Sequence, residues 1–113
     1  MRAEVLKGHL DALLLATLDT GPRHGYAVRE ALREDSGGRI DLPTGTVYPA
    51  LRRLEQAGLI RGTWDTTAGT RARRTYQLPA AGRRALSGER EGWREFAATV
   101  TALLEGRPCP STP

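Results

Sequence analysis

Apolar residues early in the chain recur with a helical rather than a strand period. Leu6, Leu10, Leu13, Leu14 and Leu18 fall on one face of a helix over about residues 4–19, which Gly21-Pro22 then ends. A second helix is predicted from about His24 to Asp35, with Tyr26, Val28, Ala31 and Leu32 as its apolar residues and Gly37-Gly38 as its stop. A third starts near Thr44 or Thr46, whose hydroxyls can cap free backbone N–H groups, and continues through Val47, Leu51, Leu54 and Ala57 to a stop at Gly58. Pro49 is tolerable near the first turn, and Leu59 can fold back as Gly58 reverses the chain.

The period then changes. Residues 60–65 and 73–78 read as two strands, with Ile60 and Trp64 on one face of the first and Tyr76 and Leu78 on one face of the second. The turn between them runs from Thr66 to Thr70, and Arg71, Arg73 and Arg74 cluster at its far end, so the hairpin projects a basic tip in the shape of a wing. After Pro79 the spacing is helical again. Leu86, Trp93, Phe96, Ala97, Val100, Leu103 and Leu104 line one stripe of a long helix that Gly82, Gly88 and Gly92 weaken. The first three helices and the hairpin already form a core, so no element is left to cover this stripe, and a second copy of the chain is its expected cover. The expected fold is mainly α with a β-hairpin (α+β), a winged helix-turn-helix over residues 1–79 followed by a dimerisation helix over 80–105. Residues 106–113, rich in proline, serine and threonine, are expected to be a disordered tail.

Length narrows the organisation and charge sharpens the function. At 113 residues the chain suits one compact domain. The net charge is +4, but residues 61–84 alone carry +5, so the excess sits in the hairpin and the turn after it. Lys7 is the only lysine among the cations; arginine suits forked phosphate and base-edge contacts, although genomic base composition produces the same bias. No apolar run approaches the roughly 20 residues that span a bilayer, and no secretion signal is evident, so a cytoplasmic protein without a membrane partner is expected. Cys109 alone forms no internal disulfide and is read as a bystander. An enzyme is not expected. His9, His24 and Cys109 make no nucleophile set and no metal cluster, and neither metal nor cofactor is implied.

Three segments resemble the PadR family of bacterial transcriptional regulators, in particular its small members with one C-terminal dimerisation helix. They are Gly21-Pro22-Arg23-His24-Gly25-Tyr26, then Gly45-Thr46-Val47-Tyr48-Pro49-Ala50-Leu51-Arg52-Arg53-Leu54-Glu55, and Arg73-Arg74-Thr75-Tyr76-Gln77-Leu78, with Gly58-Leu59-Ile60 between the last two. The likeness covers about residues 4–104. It departs at Pro79-Ala80-Ala81-Gly82, where the family usually has a capping threonine, which leaves the start of the long helix open.

The resemblance implies a sequence-specific DNA-binding regulator, a repressor, acting as a homodimer on a pseudo-palindromic operator in double-stranded DNA. Thr44, Thr46 and Tyr48 are expected in the major groove with Arg52 and Arg53 near phosphates, Arg71, Arg73 and Arg74 gripping DNA from the wing, and His24 and Tyr26 as secondary contacts. Each has a plainer reading, as core packing for Tyr26 and Tyr48 and as solvated charge for the wing arginines. Trp93 falls where small multidrug-sensing members of the family carry a tryptophan at the dimer centre. That implies a pocket for a small planar apolar effector, with Trp93 and Phe96 as floor and Val5, Gly8, His9 and Ala12 as the opposite wall, against plain dimer packing. The rival from another class is a protein-interaction module whose basic hairpin docks an acidic partner.

Overall fold

The structure, a computed structural model, describes residue 1 and residues 3–65 and 72–108. The tip of the hairpin, with Arg71 and the turn from Thr66 to Thr70, lies outside the described residues, as does the end of the tail with Cys109. Among the described residues five helices and three short strands follow one another: α1 (Ala3–Leu6), α2 (Leu10–Thr17), β1 (Arg23–His24), α3 (Gly25–Asp35), α4 (Thr44–Gln56), β2 (Arg61–Asp65), β3 (Arg73–Gln77) and α5 (Ala80–Leu104).

The leucine period holds but the single first helix does not. Gly8 adopts φ +87°, a conformation that L side chains rarely take, and there the chain breaks between α1 and α2. Leu6, Leu14, Leu15 and Leu18 still reach one core, because the break reorients the first turn without moving its leucine out of register. The start of α4 also differs from expectation. Pro43 is its N-cap and no side chain caps it; the carbonyl of Pro43 instead accepts from the N–H groups of Thr46 and Val47 at 3.0 and 3.1 Å, so the hydroxyls of Thr44 and Thr46 are not spent on capping. At the other end Gly58 has φ +77° and Leu59 donates back to the carbonyl of Leu54 at 3.0 Å, which turns the chain into β2 and packs Leu59 against the core.

The sheet has one strand more than the hairpin alone. β1 pairs antiparallel with β3, in register Arg23 with Tyr76 and His24 with Thr75, giving the order β1-β3-β2. A two-residue strand carries no alternation for a sequence to display. Ile60 and Trp64 do not share a fate: Ile60, just before β2, is buried in the core, whereas Trp64 is 64% exposed. Likewise Leu78 is buried and Tyr76 only partly so.

α5 is continuous over 25 residues despite its glycines. Its first turns lie against the domain, with Gly82 and Leu86 buried, and the carboxylate of Asp19 reaches Arg83 at 3.5 Å and Arg90 at 3.3 Å. Leu86 therefore belongs to the core of the chain rather than to the exposed stripe, because the α2–α4 core extends as far as the second turn of α5. Beyond it Trp93, Phe96, Leu103 and Leu104 are exposed. Gly82 sits so close to the preceding turn that a Cβ there would lie 2.0 Å from the carbonyl oxygen of Leu59. Gly88 meets nothing within 4 Å.

These two glycines are expected to respond to alanine with opposite signs. Thermal melts of Gly82→Ala should give a loss of about 1–3 kcal/mol from overpacking, and those of Gly88→Ala a gain of about 1 kcal/mol from helix propensity. Equal shifts in the two variants would mean that α5 does not rest on the α4–β2 turn.

Candidate nucleic-acid interface

α4 buries one face and leaves the other free. Val47, Ala50, Leu51 and Leu54 are buried, and at the intervening positions Thr44, Gly45, Thr46, Tyr48, Arg52 and Arg53 are exposed. The segment leading into it is held by Arg29 of α3, whose guanidinium donates to the carbonyl of Leu42 at 2.6 Å and to Asp41 at 3.0 Å while lying 5.7 Å from the ring centre of Tyr26. Leu42 itself is buried, so a half-buried arginine and an apolar anchor together fix where α4 begins.

Tyr48, Arg52 and Glu55, spaced by four and three residues, point from α4 toward the hairpin. Together with Tyr26 at the start of α3 and Trp64, Arg73 and Tyr76 on the strands they border an open groove of about 740 Å³. Tyr26 is 56% and Tyr48 40% exposed, so neither is a core residue. Gly25 lets the rings of Tyr48 and Tyr76 approach the start of α3, since a Cβ on it would stand 3.1 Å from the Tyr48 ring and 3.6 Å from that of Tyr76.

The arginines do not all face this groove freely. Arg52 and Arg73 are exposed. Arg53 is paired with Asp11 of α2 at 2.5 Å, although it is 60% exposed. Arg74, expected at the wing tip, turns back from β3 and is paired with Glu55 of α4, its guanidinium also 5.2 Å from the ring centre of Trp64. The reason is register: Trp64 and Arg74 are directly opposite on the paired strands. His24 is likewise occupied, its Nδ1 and the Thr75 hydroxyl sharing a hydrogen bond of 3.0 Å across β1 and β3. Arg71 lies outside the described residues.

The acidity of Tyr76 is altered by its surroundings. Burial pushes its phenol above the usual value and the Glu55 carboxylate adds to this, against Arg74 and Arg52. The hydroxyl therefore remains a neutral donor throughout the neutral range.

At the other end of the molecule the His9 ring meets Trp93 edge-on, with centres 5.3 Å apart, and Phe96 lies 6.0 Å beyond. Two residues assigned to opposite walls of an effector pocket thus touch within one chain. Val5 and Gly8 are exposed nearby in sequence, and Ala12 is half-buried. Among the described residues no group of three or more His, Cys, Asp or Glu could hold a metal ion, and no helix is long and apolar enough to cross a membrane.

Arg29, Glu55 and Trp64 were not legible as site residues. Arg29 and Glu55 act through partners distant in sequence, and Trp64 looked like the core partner of Ile60.

Two antiparallel strands following a helix pair, the second helix exposing its polar face beside them, define a winged helix-turn-helix, the fold of DNA-binding regulators. The model of the Transcriptional regulator PadR-like family matches residues 14–88. Among solved structures, the chain is similar to a PadR family transcriptional regulator from Eggerthella lenta DSM 2243, with 34% identity and a TM-score of 0.80 over 91% of this chain and 88% of that one. It is also similar to a PadR-like transcriptional regulator from Bacillus cereus strain ATCC 14579, with 26% identity and a TM-score of 0.78 over 92% and 99% of the two chains. A transcriptional regulator of Mycobacterium tuberculosis, Rv3488, is 38% identical over 69% of this chain, which spans 59% of that protein's length. The chain belongs to the PadR-like family, and it is a DNA-binding transcriptional regulator rather than an enzyme.

The altered phenol gives a test of the groove. A folded-state value above the unfolded one, near 10, means that the native state holds the proton more tightly, so the associated stability is fully present below pH 10 and is lost as the pH rises through the raised value. Tyr76→Phe should abolish that part of the alkaline fall in stability, as read by thermal melts at a series of alkaline pH values. An alkaline fall unchanged in Tyr76→Phe would contradict the described burial.

Proposed function

We propose that this regulator is a homodimeric repressor that reads a pseudo-palindromic operator, its two α4 helices entering successive major grooves with half-sites about 10 base pairs apart. The observation that carries the proposal is the free face of α4, where Thr44, Thr46, Tyr48 and Arg52 are exposed beside Arg73 of the wing across the groove. Thr44 and Thr46, whose hydroxyls are free of capping duty, stand at the helix end that meets base edges, while Arg52 and Arg73 fit phosphates. Tyr26 and Arg71 are assigned to phosphates as well. His24 and Arg53 contribute second, since each already has an intramolecular partner. Occupying the operator would block transcription.

The second copy would cover the far half of α5. Trp93 and Phe96 are more than half exposed and Leu103 and Leu104 are 72% and 82% exposed, more apolar surface on one helix than a free subunit tends to keep in water. Ala97 and Val100, half-buried, continue the same stripe. Within it, the contact between His9 and Trp93 supports a site between the subunits for a planar apolar effector that would relieve repression by favouring a dimer whose helices miss the operator spacing.

The purified protein should bind duplex from its own upstream region more tightly than random duplex, both less tightly as salt rises. Arg52→Ala and Arg73→Ala should each lower the slope of log affinity against log salt by about one. Salt-insensitive, equally weak binding to both duplexes would favour a protein-docking role instead. Replacing Val100 and Leu103 by aspartate should give a monomer in sedimentation, and planar aromatic compounds should quench Trp93 in the dimer but not in that variant.

A further inference from the structure

The surface between α4 and the hairpin carries an ion pair that a DNA-binding surface does not need for charge. Glu55 is an acid on the same stripe of α4 as Tyr48 and Arg52, where a phosphate backbone would meet it unfavourably. Its carboxylate is engaged from two sides of one guanidinium: Nη2 of Arg74 donates to Oε2, and Nε of Arg74 lies 3.4 Å from Oε1. Both side chains are about a quarter exposed, and the Arg74 guanidinium is backed by the Trp64 ring, 5.2 Å from its centre. A forked contact of this kind restricts orientation as well as distance.

An independent feature accommodates the pair. Gly62 of β2 lies directly beneath it, and a Cβ there would stand 2.8 Å from Nε of Arg74, 2.9 Å from Oε1 of Glu55 and 3.0 Å from Nη2 of Arg74. The φ of Gly62 is not in the left-handed region, so the backbone does not require glycine at this position. A Cβ there would instead displace the ends of the two charged side chains. The strand is cut away where the pair sits.

Resting on the DNA-binding reading above, we propose that Glu55 and Arg74 are positioning residues that lock the wing to the recognition helix, and that Arg74 does not grip DNA. The wing's phosphate contact among the described residues is left to Arg73. Glu55 holds the hairpin at the angle where that contact and the face of α4 meet one duplex together, and Arg74 neutralises the acid that would otherwise face the backbone.

The proposal inverts the sign that simple charge counting gives for Glu55. Fluorescence anisotropy with the intact dimer, a labelled duplex from its own upstream region and a random duplex reads the outcome at several salt concentrations. Arg74→Ala should weaken binding roughly tenfold while leaving the salt slope at the wild-type value, whereas Arg73→Ala lowers that slope by about one. Glu55→Ala, which removes a negative charge from the surface, should also weaken binding, and the exchange Glu55→Arg with Arg74→Glu should recover most of the loss. A slope lowered by one in Arg74→Ala, or tighter binding by Glu55→Ala, would overturn the assignment and return Arg74 to the phosphates.

The lock is also readable without DNA. In a Trp93→Phe background, which leaves Trp64 as the sole indole, Glu55→Ala and Gly62→Ala should each change Trp64 emission and its quenching by iodide, because either frees the guanidinium from the ring. If the wild type binds neither duplex, the DNA reading is lost and this measurement stands alone; unchanged Trp64 emission in both variants then sinks the lock.

Discussion

The interaction on which the molecule depends is the burial of one face of α4 at the centre of the core. Val47 and Leu51 are completely buried and Leu54 nearly so, and they touch a cluster fed by Leu14, Leu15 and Leu18 from α2, Val28 and Leu32 from α3, and Ile60, Leu78 and Leu86 from the segments that follow. Because a helix turns 100° per residue, fixing three inward positions leaves the orientation of the rest with no freedom. Thr44, Thr46, Tyr48 and Arg52 are exposed for that reason. The exposed face is a by-product of packing, rigid because the core behind it is close-packed.

The core also accounts for what was legible in the chain beforehand. Helices α3, α4 and α5 declare themselves through apolar residues at helical spacing, and their ends through Gly37-Gly38, Gly58 and Pro79, because burial on one face and chain reversal at glycine are both local in sequence. The break at Gly8 was hidden by the same signal, since the leucine period continues across it and only the backbone conformation of one glycine records the kink. β1 was hidden for a different reason. Its two residues form a strand only because β3, half the chain away, offers a free edge, and no property of Arg23 or His24 alone expresses that pairing.

Charge was the less faithful guide. The excess of residues 61–84 is real, but Arg74 within it is matched by Glu55 and Arg83 by Asp19, while Arg53 outside it is matched by Asp11. Summed charge sets the long-range attraction of a polyanion, which does not depend on which cation is paired; the short-range contacts do. A count along the sequence therefore ranks Arg73 and Arg74 equally, and the fold separates them. Their separation lies in their partners: Arg74 is held by Glu55 of α4, whereas Arg73 borders the same groove and is exposed.

α5 joins two environments along one stripe. Leu86, Trp93, Ala97, Val100 and Leu104 lie within about 40° of one line down the helix, yet Leu86 is in the core and Leu104 is in water. α2 packs along α5 as far as Trp93, which the His9 ring meets, and beyond it Ala102 is still buried while Leu103 and Leu104 are exposed. A stripe that is sealed at one end and open at the other is what a second identical stripe can complete, because each subunit's open half can then meet its partner's across a two-fold axis. On that reading the contact between His9 and Trp93 marks the border between the packing a subunit makes alone and the packing it shares.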